Sequence, residues 1–139
     1  MIKKDSSKVT GSVNVVVRGE DGTVKQEFTV PNLVVDSGLD FIASRMKDAT
    51  ATAMSHMAVG TNNTAADAAN TALGTEIARV AMATPTVTDN AIAYVASYPA
   101  GTGTGALTEA AILNASSGGS MLCRTVFAVI NKGAADSMT

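Results

Sequence analysis

Apolar and polar positions alternate in two stretches near the start of the chain. In Ser12–Arg18 the valines at positions 13, 15 and 17 share one side, and residues 23–30 repeat this alternation. A period of two is typical of a β-strand with one buried face. The Asp21-Gly22 pair between the two stretches is a common turn dipeptide in hairpins. We therefore predict an antiparallel hairpin whose second strand ends at Pro31-Asn32.

The period then lengthens to that of an α-helix. The apolar residues that recur at this longer spacing are Leu39, Ile42, Ala43 and Met46. Because residues three and four apart share one helical face, we predict one short helix from Ser37 to about Lys47. It should lie against a sheet, with its first two apolar side chains packed beneath it. Asp36 or Ser37 is expected to cap it, since Ser37 and Asp40 have the spacing of a capping box.

The remaining segments predict strands and loops. Residues 54–60 favour a short strand, whereas the polar, turn-rich residues 61–74 favour a long loop. Residues 76–99 favour two strands around a turn at Asp89-Asn90. Residues 109–130 favour two more strands around a serine- and glycine-rich turn.

The last of these strands is apolar on both faces, which predicts a central strand or one buried against a neighbouring subunit. Phe127 and Val129 are expected on one face and Ile130 on the other, with Phe127 buried. Residues 137–139 begin a further strand, which is expected to be short or completed by a partner.

Taken together, about seven or eight short strands and one helix predict an all-β fold. The architecture we expect is an antiparallel, jelly-roll-like β-sandwich. At 139 residues the chain is expected to be a single domain, residues 1–139, with a short flexible N-terminal arm at residues 1–10.

Composition adds a hint about the surface. The chain is 46% hydrophobic but only 4% aromatic, so small aliphatic residues and methionine must fill the core. The methionines expected to serve as core filler are Met46, Met54, Met57 and Met82. Charged residues make up 16%, below the usual quarter, which suggests that another molecule covers part of the surface.

Charge and hydropathy exclude several classes of function. A formal net charge of −2 lacks the basic character of a nucleic-acid-binding protein. No run approaches the roughly 20 apolar residues of a membrane helix, and the N-terminus lacks the apolar core of a secretory signal. One cysteine allows no intrachain disulfide, which fits folding in a reducing compartment.

A glycine-rich stretch raises the possibility of a nucleotide site. Gly101, Gly103 and Ala106 satisfy the permissive spacing of a dinucleotide-binding loop. The segment before them alternates, no lysine follows, and Arg124 stands near the position where the ribose-binding acid belongs. A pliable connection between strands is therefore the simpler interpretation.

No other residues form a pattern typical of catalysis or metal binding. His56 is the only histidine and has no partners for a metal site. Cys123 lies in the most apolar strand, where an inert buried thiol is expected. We therefore predict no enzyme activity, no cofactor and no small-molecule substrate.

The N-terminal lysines are the candidate partner-contact residues. Lys3, Lys4 and Lys8 cluster in a segment with no apolar period. The segment is either a solvated tail or an arm that reaches an acidic partner.

Four segments, in order, resemble a class of tailed-phage virion proteins. They are VPNLVVDSGLDFIASRM, MAVGT, TALGTEIARV and GTGALTEAAILNASSGGSMLCRTVFAVINKGAADSMT. The resemblance covers roughly residues 31–139 and leaves out the N-terminal hairpin. Within the class, the size and the absence of fibre repeats make the chain most similar to the jelly-roll cement, or decoration, proteins of podophage capsids. Relatives usually run on past the Lys-Gly-x-x-Asp segment into a full final strand, so the closing edge of the sandwich is expected to differ here.

This resemblance implies a structural role in the virion. A cement protein binds the outer capsid surface, bridges subunits of the major capsid protein and stabilises the particle; it is made in the host cytoplasm. A homodimer is the simplest geometry for such a role. The alternative that the resemblance leaves open is a tail, baseplate or fibre-base component.

Overall fold

The computed structural model describes residues 8–139, which contain nine strands and one helix. The elements are β1 Gly11–Arg18, β2 Val24–Val34, α1 Asp36–Lys47, β3 His56–Gly60, β4 Glu76–Ala81, β5 Thr86–Thr88, β6 Ala91–Ala93, β7 Gly105–Leu113, β8 Met121–Lys132 and β9 Ser137–Met138.

Seven strands form one curled antiparallel sheet in the order β4-β3-β7-β8-β2-β1-β9. Strand β2 pairs with β8 only at its last two residues, Leu33 and Val34. The rest of the β1–β2 hairpin, before Leu33, is therefore not paired with β8. Apolar residues of the hairpin and of β7 and β8 share one buried cluster. Phe28 and Phe127 meet within it, with their ring centroids 5.7 Å apart. The predicted all-β, sandwich-like fold is thus confirmed.

The C-terminus closes this cluster. Ser137 and Met138 of β9 pair with the end of β1, as a short final strand. Met138 also exchanges two backbone hydrogen bonds with Tyr98, of 2.8 and 2.9 Å. The Tyr98 hydroxyl donates to the carbonyl oxygen of Met57 at 2.7 Å, which ties this side of the molecule to β3.

Strand β2 extends beyond its predicted end. Pro31 and Asn32 pair with Ser12 and Gly11 and lie inside the strand. Proline is tolerated within a sheet where its nitrogen faces no partner strand. That condition is met here because β8 joins β2 only from Leu33 onward.

The helix forms where predicted, but its orientation is not the one expected. Leu39 is 44% exposed and Met46 83% exposed, so the predicted apolar face points largely to solvent and Met46 is no core filler. The first turn makes the close contact instead. A methyl group at Gly38 would overlap the Leu122 carbonyl oxygen, so the lack of a side chain lets the helix approach β8.

The predicted helix cap is also wrong. Val35 occupies the N-cap position, and no side chain among residues 8–139 caps the helix. The Ser37 hydroxyl donates instead to the carbonyl oxygen of Met121 on β8, at 2.8 Å. Docking of the first turn on the sheet therefore replaces a local capping box. The three other methionines expected in the core do pack there: Met54, Met57 and Met82.

A bulge in β8 changes the faces of its last residues. Leu107 pairs with Ile130 and Glu109 with Val126, so three residues of β8 oppose Thr108 alone. Beyond this irregularity the buried apolar positions of β8 change from odd-numbered to even-numbered residues. Phe127 is buried as predicted, but Val129 is 49% exposed and Ile130 is buried.

The stretch 76–99 is divided differently from the prediction. Strand β4 ends at Ala81, and a separate two-stranded sheet, β5 with β6, follows Pro85. The turn at Asp89-Asn90 joins these two short strands as predicted, with Asp89 at a φ of 52°. The alternating pattern thus predicted strands here without indicating that two of them leave the main sheet.

Candidate functional site

The glycine-rich stretch is a loop that enters a strand. Gly101 and Gly103 have φ angles of 81° and 67°, and Gly105, at 145°, begins β7. A dinucleotide site needs a helix whose N-terminus follows the glycines. A strand follows here, so the interpretation as a connection is the one that the geometry supports.

His56 and Cys123 are not part of a metal-binding cluster in the described part of the chain. The His56 Nδ1 atom is 2.8 Å from the Ser55 hydroxyl. Cys123 is buried, and burial raises the pKa of its thiol to about 11. Residues 8–139 contain no group of three or more histidine, cysteine, aspartate or glutamate side chains that could hold a metal ion. No helix in the same range is long and apolar enough to cross a membrane.

Of the three candidate lysines, only Lys8 lies within the described residues. Lys8 is exposed and stands just before β1. Lys3 and Lys4 lie outside the described residues. The partner contact proposed for these three lysines therefore stays a prediction.

A long irregular segment, residues 61–75, crosses one face of the sheet, and we call it the strap. The predicted loop at 61–74 is confirmed, but it is anchored at both ends. Thr61 N–H donates to the Thr75 carbonyl oxygen at 3.0 Å, which closes the strap into a loop. Leu73 inserts its side chain into a buried cluster that includes Ala58 and Ala111 of the sheet.

The strap is bound by a buried carboxylate. Glu109 of β7 accepts backbone N–H bonds from Asn62 at 3.2 Å, Gly74 at 2.9 Å and Thr75 at 2.8 Å. Its other partner is Arg124 of β8, whose Nε and Nη2 donate to Oε2 at 3.1 and 2.9 Å. The two side chains are 0% and 3% exposed, so this is a fully buried ion pair.

Arg124 also reaches the middle of the strap. Its Nη1 donates to the carbonyl oxygen of Ala65 at 3.3 Å and to Oδ1 of Asn70 at 3.1 Å. One carboxylate and one guanidinium therefore hold both ends and the centre of a segment that has no regular secondary structure. Charge-assisted bonds of this kind are the strong ones.

The environment of Glu109 favours its charged form. Burial opposes ionisation, but the backbone N–H groups of Thr75 and Gly74, the Arg124 guanidinium and the Asn62 N–H outweigh it, and the pKa of Glu109 is lowered. Gly60 makes room for this arrangement, because a methyl group there would overlap the Thr75 carbonyl oxygen and come within 2.5 Å of Glu109 Oε1.

A second charged cluster fixes the C-terminus. Buried Lys132 donates to the carbonyl oxygens of Pro99 at 3.1 Å and Asp136 at 2.6 Å. The Asp136 carboxylate accepts from Lys25 of β2 at 2.8 Å and from the Gly133 N–H at 2.8 Å. The Lys25 bond is the largest reason why the pKa of Asp136 is lowered. This cluster joins β2, β8 and the approach to β9.

The separate hairpin of β5 and β6, residues 86–93, projects from the body of the molecule, and we call it the finger. Every residue from Ala83 to Ala93 is exposed. Val87 and Ile92 are directly opposite each other in the pairing and are 67% and 54% exposed. A hydrogen bond of 2.9 Å from the Ala83 N–H to the Val95 carbonyl oxygen closes its base. The finger thus presents an apolar cross-strand pair on an exposed hairpin.

Sequence reasoning missed both the strap's anchor and the finger. Glu109 and Arg124 are charged residues inside two strands that are otherwise mostly apolar, and that pattern was the available signal for a buried pair. The finger had a weaker signal: Pro85 and three threonines interrupt the stretch before the Asp89-Asn90 turn.

No protein-family model matches the chain, and no curated protein and no solved structure matches it either.

Proposed function

We propose that this protein is a virion structural protein, namely a capsid cement protein that attaches to the outer surface of a phage shell. The observation that carries the proposal is the finger, whose Val87 and Ile92 side chains are held away from the protein's own core. The order of the sequence motifs along residues 31–139 resembles that of tailed-phage virion proteins, and this resemblance indicates a partner in the phage particle. The major capsid protein is that partner.

The physical argument starts from the stability of the finger. A two-stranded hairpin is marginally stable by itself in water. Three residue pairs hold this one together, and they leave an apolar pair exposed to solvent. Insertion of the finger into an apolar recess of a neighbouring protein would bury Val87 and Ile92 and complete the packing that the hairpin lacks.

One finger is too small for tight attachment. Stable protein interfaces bury on the order of 1,200–2,000 Å² in total, far more than two short strands can cover. Attachment by several weak contacts at once overcomes this limit, because the first contact raises the effective concentration of the next. A homodimer on a two-fold axis, with two fingers on neighbouring capsid subunits, is the simplest arrangement that bridges them.

The direct test is the copy number of this chain in particles of the virus that encodes it. Quantitative mass spectrometry of purified particles would compare it with the major capsid protein. The proposal expects a number of copies comparable with that of the shell subunit. A handful of copies would favour the alternative, a tail, baseplate or fibre-base component, and absence from the particle would contradict both.

The N-terminal lysines provide a separate contribution to attachment. Deletion of residues 1–8 removes Lys3, Lys4 and Lys8 and leaves β1 intact. If these residues contact acidic groups on the shell, deletion should weaken binding at low salt and flatten its salt dependence, because exposed charge pairs are screened at high ionic strength. Sedimentation of shells with full-length and truncated protein at two salt concentrations measures both. Identical binding curves would contradict a role for the lysines.

A further inference from the structure

The attachment of the strap to the sheet depends on two side chains. Of the hydrogen bonds that join residues 61–75 to the rest of the described chain, three are accepted by Glu109 and two are donated by Arg124. The remaining one runs from the Asp36 N–H to the Ala68 carbonyl oxygen, at 2.8 Å. Within the strap, Asp67 and Asn70 bond to each other and shape a turn.

These contacts are coupled through one carboxylate. Glu109 accepts from Asn62 near the start of the strap and from Gly74 and Thr75 at its end, and it also orients the Arg124 guanidinium that holds the centre. An ionised carboxylate accepts hydrogen bonds only, whereas a protonated one carries a donor. A proton on Glu109 would therefore remove at least one N–H bond and the ion pair with Arg124 together.

We propose that the strap is a latch: residues 61–75 open as one unit when Glu109 takes up a proton, while the sheet beneath stays folded. The sheet has its own support in β3, β7 and β8, which are paired along their lengths. Opening withdraws Leu73 from its cluster and uncovers Ala58 and Ala111. The proposal is independent of the function of the protein.

The direction of the pH response follows from the surroundings of Glu109. Arg124 on β8 is the charged group in contact with it. The ionisable groups on the elements around it include Asp67 in the strap, Glu76 and Arg79 on β4, His56 on β3 and Asp36 at the start of α1. Because the pKa of Glu109 is lowered in the folded state, the latch contributes fully above the ordinary value of 4.5. That contribution is lost as the pH falls through the lowered, folded-state value.

Amide hydrogen exchange, measured residue by residue by NMR, tests this on the wild-type chain. The reporters are the N–H groups of Asn62, Gly74 and Thr75, and the references are the paired residues Ala110 and Thr125 of β7 and β8. Exchange would be compared, relative to intrinsic rates, near neutral pH and at a series of values below 4.5. Each unit of pKa difference between the closed and open states lowers the protection of the reporters about tenfold at the acid end. Complete loss of protection at all five amides together, or no loss at the three reporters, would overturn the proposal.

Two carboxylate-to-amide variants sharpen the test at neutral pH. Glu109→Gln removes the charge at nearly constant shape, and should raise exchange of the three reporters about tenfold or more while the references remain protected. Asp136→Asn makes the same chemical change in the C-terminal cluster and should leave the strap as protected as in the wild type. Equal loosening of the strap by Asp136→Asn would contradict the latch. If Glu109→Gln does not fold, the wild-type pH series decides the question by itself.

Discussion

The strap and the finger leave the same sheet, and they differ in a way that their secondary structure would not suggest. The strap has no regular structure, yet Glu109 and Arg124 bind it to the sheet at both ends and in the middle. The finger is a regular hairpin, yet all of its residues are exposed. Regular hydrogen bonding within a segment is therefore a poor guide to how firmly that segment is attached.

The difference follows from where each segment's polar groups find partners. In the strap, backbone N–H groups that no strand could satisfy converge on one carboxylate, and a buried charge needs such partners. In the finger, the backbone groups satisfy each other across three residue pairs, and no hydrogen bond joins residues 86–93 to the rest of the described chain, so its apolar pair stays exposed. We infer that the strap serves the stability of this chain, whereas the finger serves contact with another one.

The largest expected effect is on the strap's anchor. Arg124→Met should lower the free energy of unfolding by about 3–5 kcal/mol, because it leaves the Glu109 carboxylate buried without its counter-ion. Urea denaturation measures this. Arg18→Met is the matched control: the Arg18 side chain is exposed and, within residues 8–139, donates one hydrogen bond, to Gly22, so its loss should cost no more than about 0.5 kcal/mol. Similar costs for the two variants would contradict the anchoring role.

A smaller effect is expected at the glycine beneath the strap. Gly60→Ala should cost about 1–3 kcal/mol, because the added methyl group overlaps the Thr75 carbonyl oxygen and crowds Glu109. Gly22→Ala is the control for backbone strain without crowding, since Gly22 has a φ of 82° and open space around it; we expect about 1 kcal/mol there. The prediction fails if, in thermal or urea unfolding, Gly60→Ala is the milder of the two.

The smallest effect on stability is expected in the finger. Val87→Ser and Ile92→Ser, alone or combined, should each change the free energy of unfolding by no more than about 0.5 kcal/mol, because these side chains are already largely exposed. Phe127→Ala, by contrast, should cost about 3–5 kcal/mol, since its ring lies in the core against Phe28. A loss of several kcal/mol in the finger variants would mean that the hairpin packs on the body of the molecule.

The sequence predicted the positions of the strands better than the way in which the other segments pack against them. Alternation located β1 and most of β2, because a period-two pattern is typical of a half-buried strand. The apolar runs on both sides of the turn at residues 116–120 located β8 and the second half of β7. The sequence predicted the position of the helix correctly but not the face that packs on the sheet. Gly38, rather than the apolar stripe of Leu39 and Met46, makes the contact with β8. Spacing within one segment carries no information about which partner it will meet.

The candidate sites were harder to predict for the same reason. Glu109 and Arg124 lie 15 residues apart in sequence and become a pair only through the register of β7 and β8. An irregularity in the pairing between Ile112 and Leu113, on the turn side of this pair, helps to set that register, and alternation does not reveal it. The finger's exposure likewise follows from the loss of main-sheet pairing after Ala81, which depends on tertiary structure.

Attachment to the shell through the finger is the central claim, and binding of folded variants to shells that lack this protein tests it most directly. The double variant Val87→Ser, Ile92→Ser should lose most of its binding in a sedimentation assay with the major capsid protein's assembled shell. Met46→Ser, which removes an apolar side chain of α1 that is even more exposed than Val87 and Ile92, should bind as the wild type does. Wild-type binding by the finger variant, with or without a loss in Met46→Ser, would contradict the account.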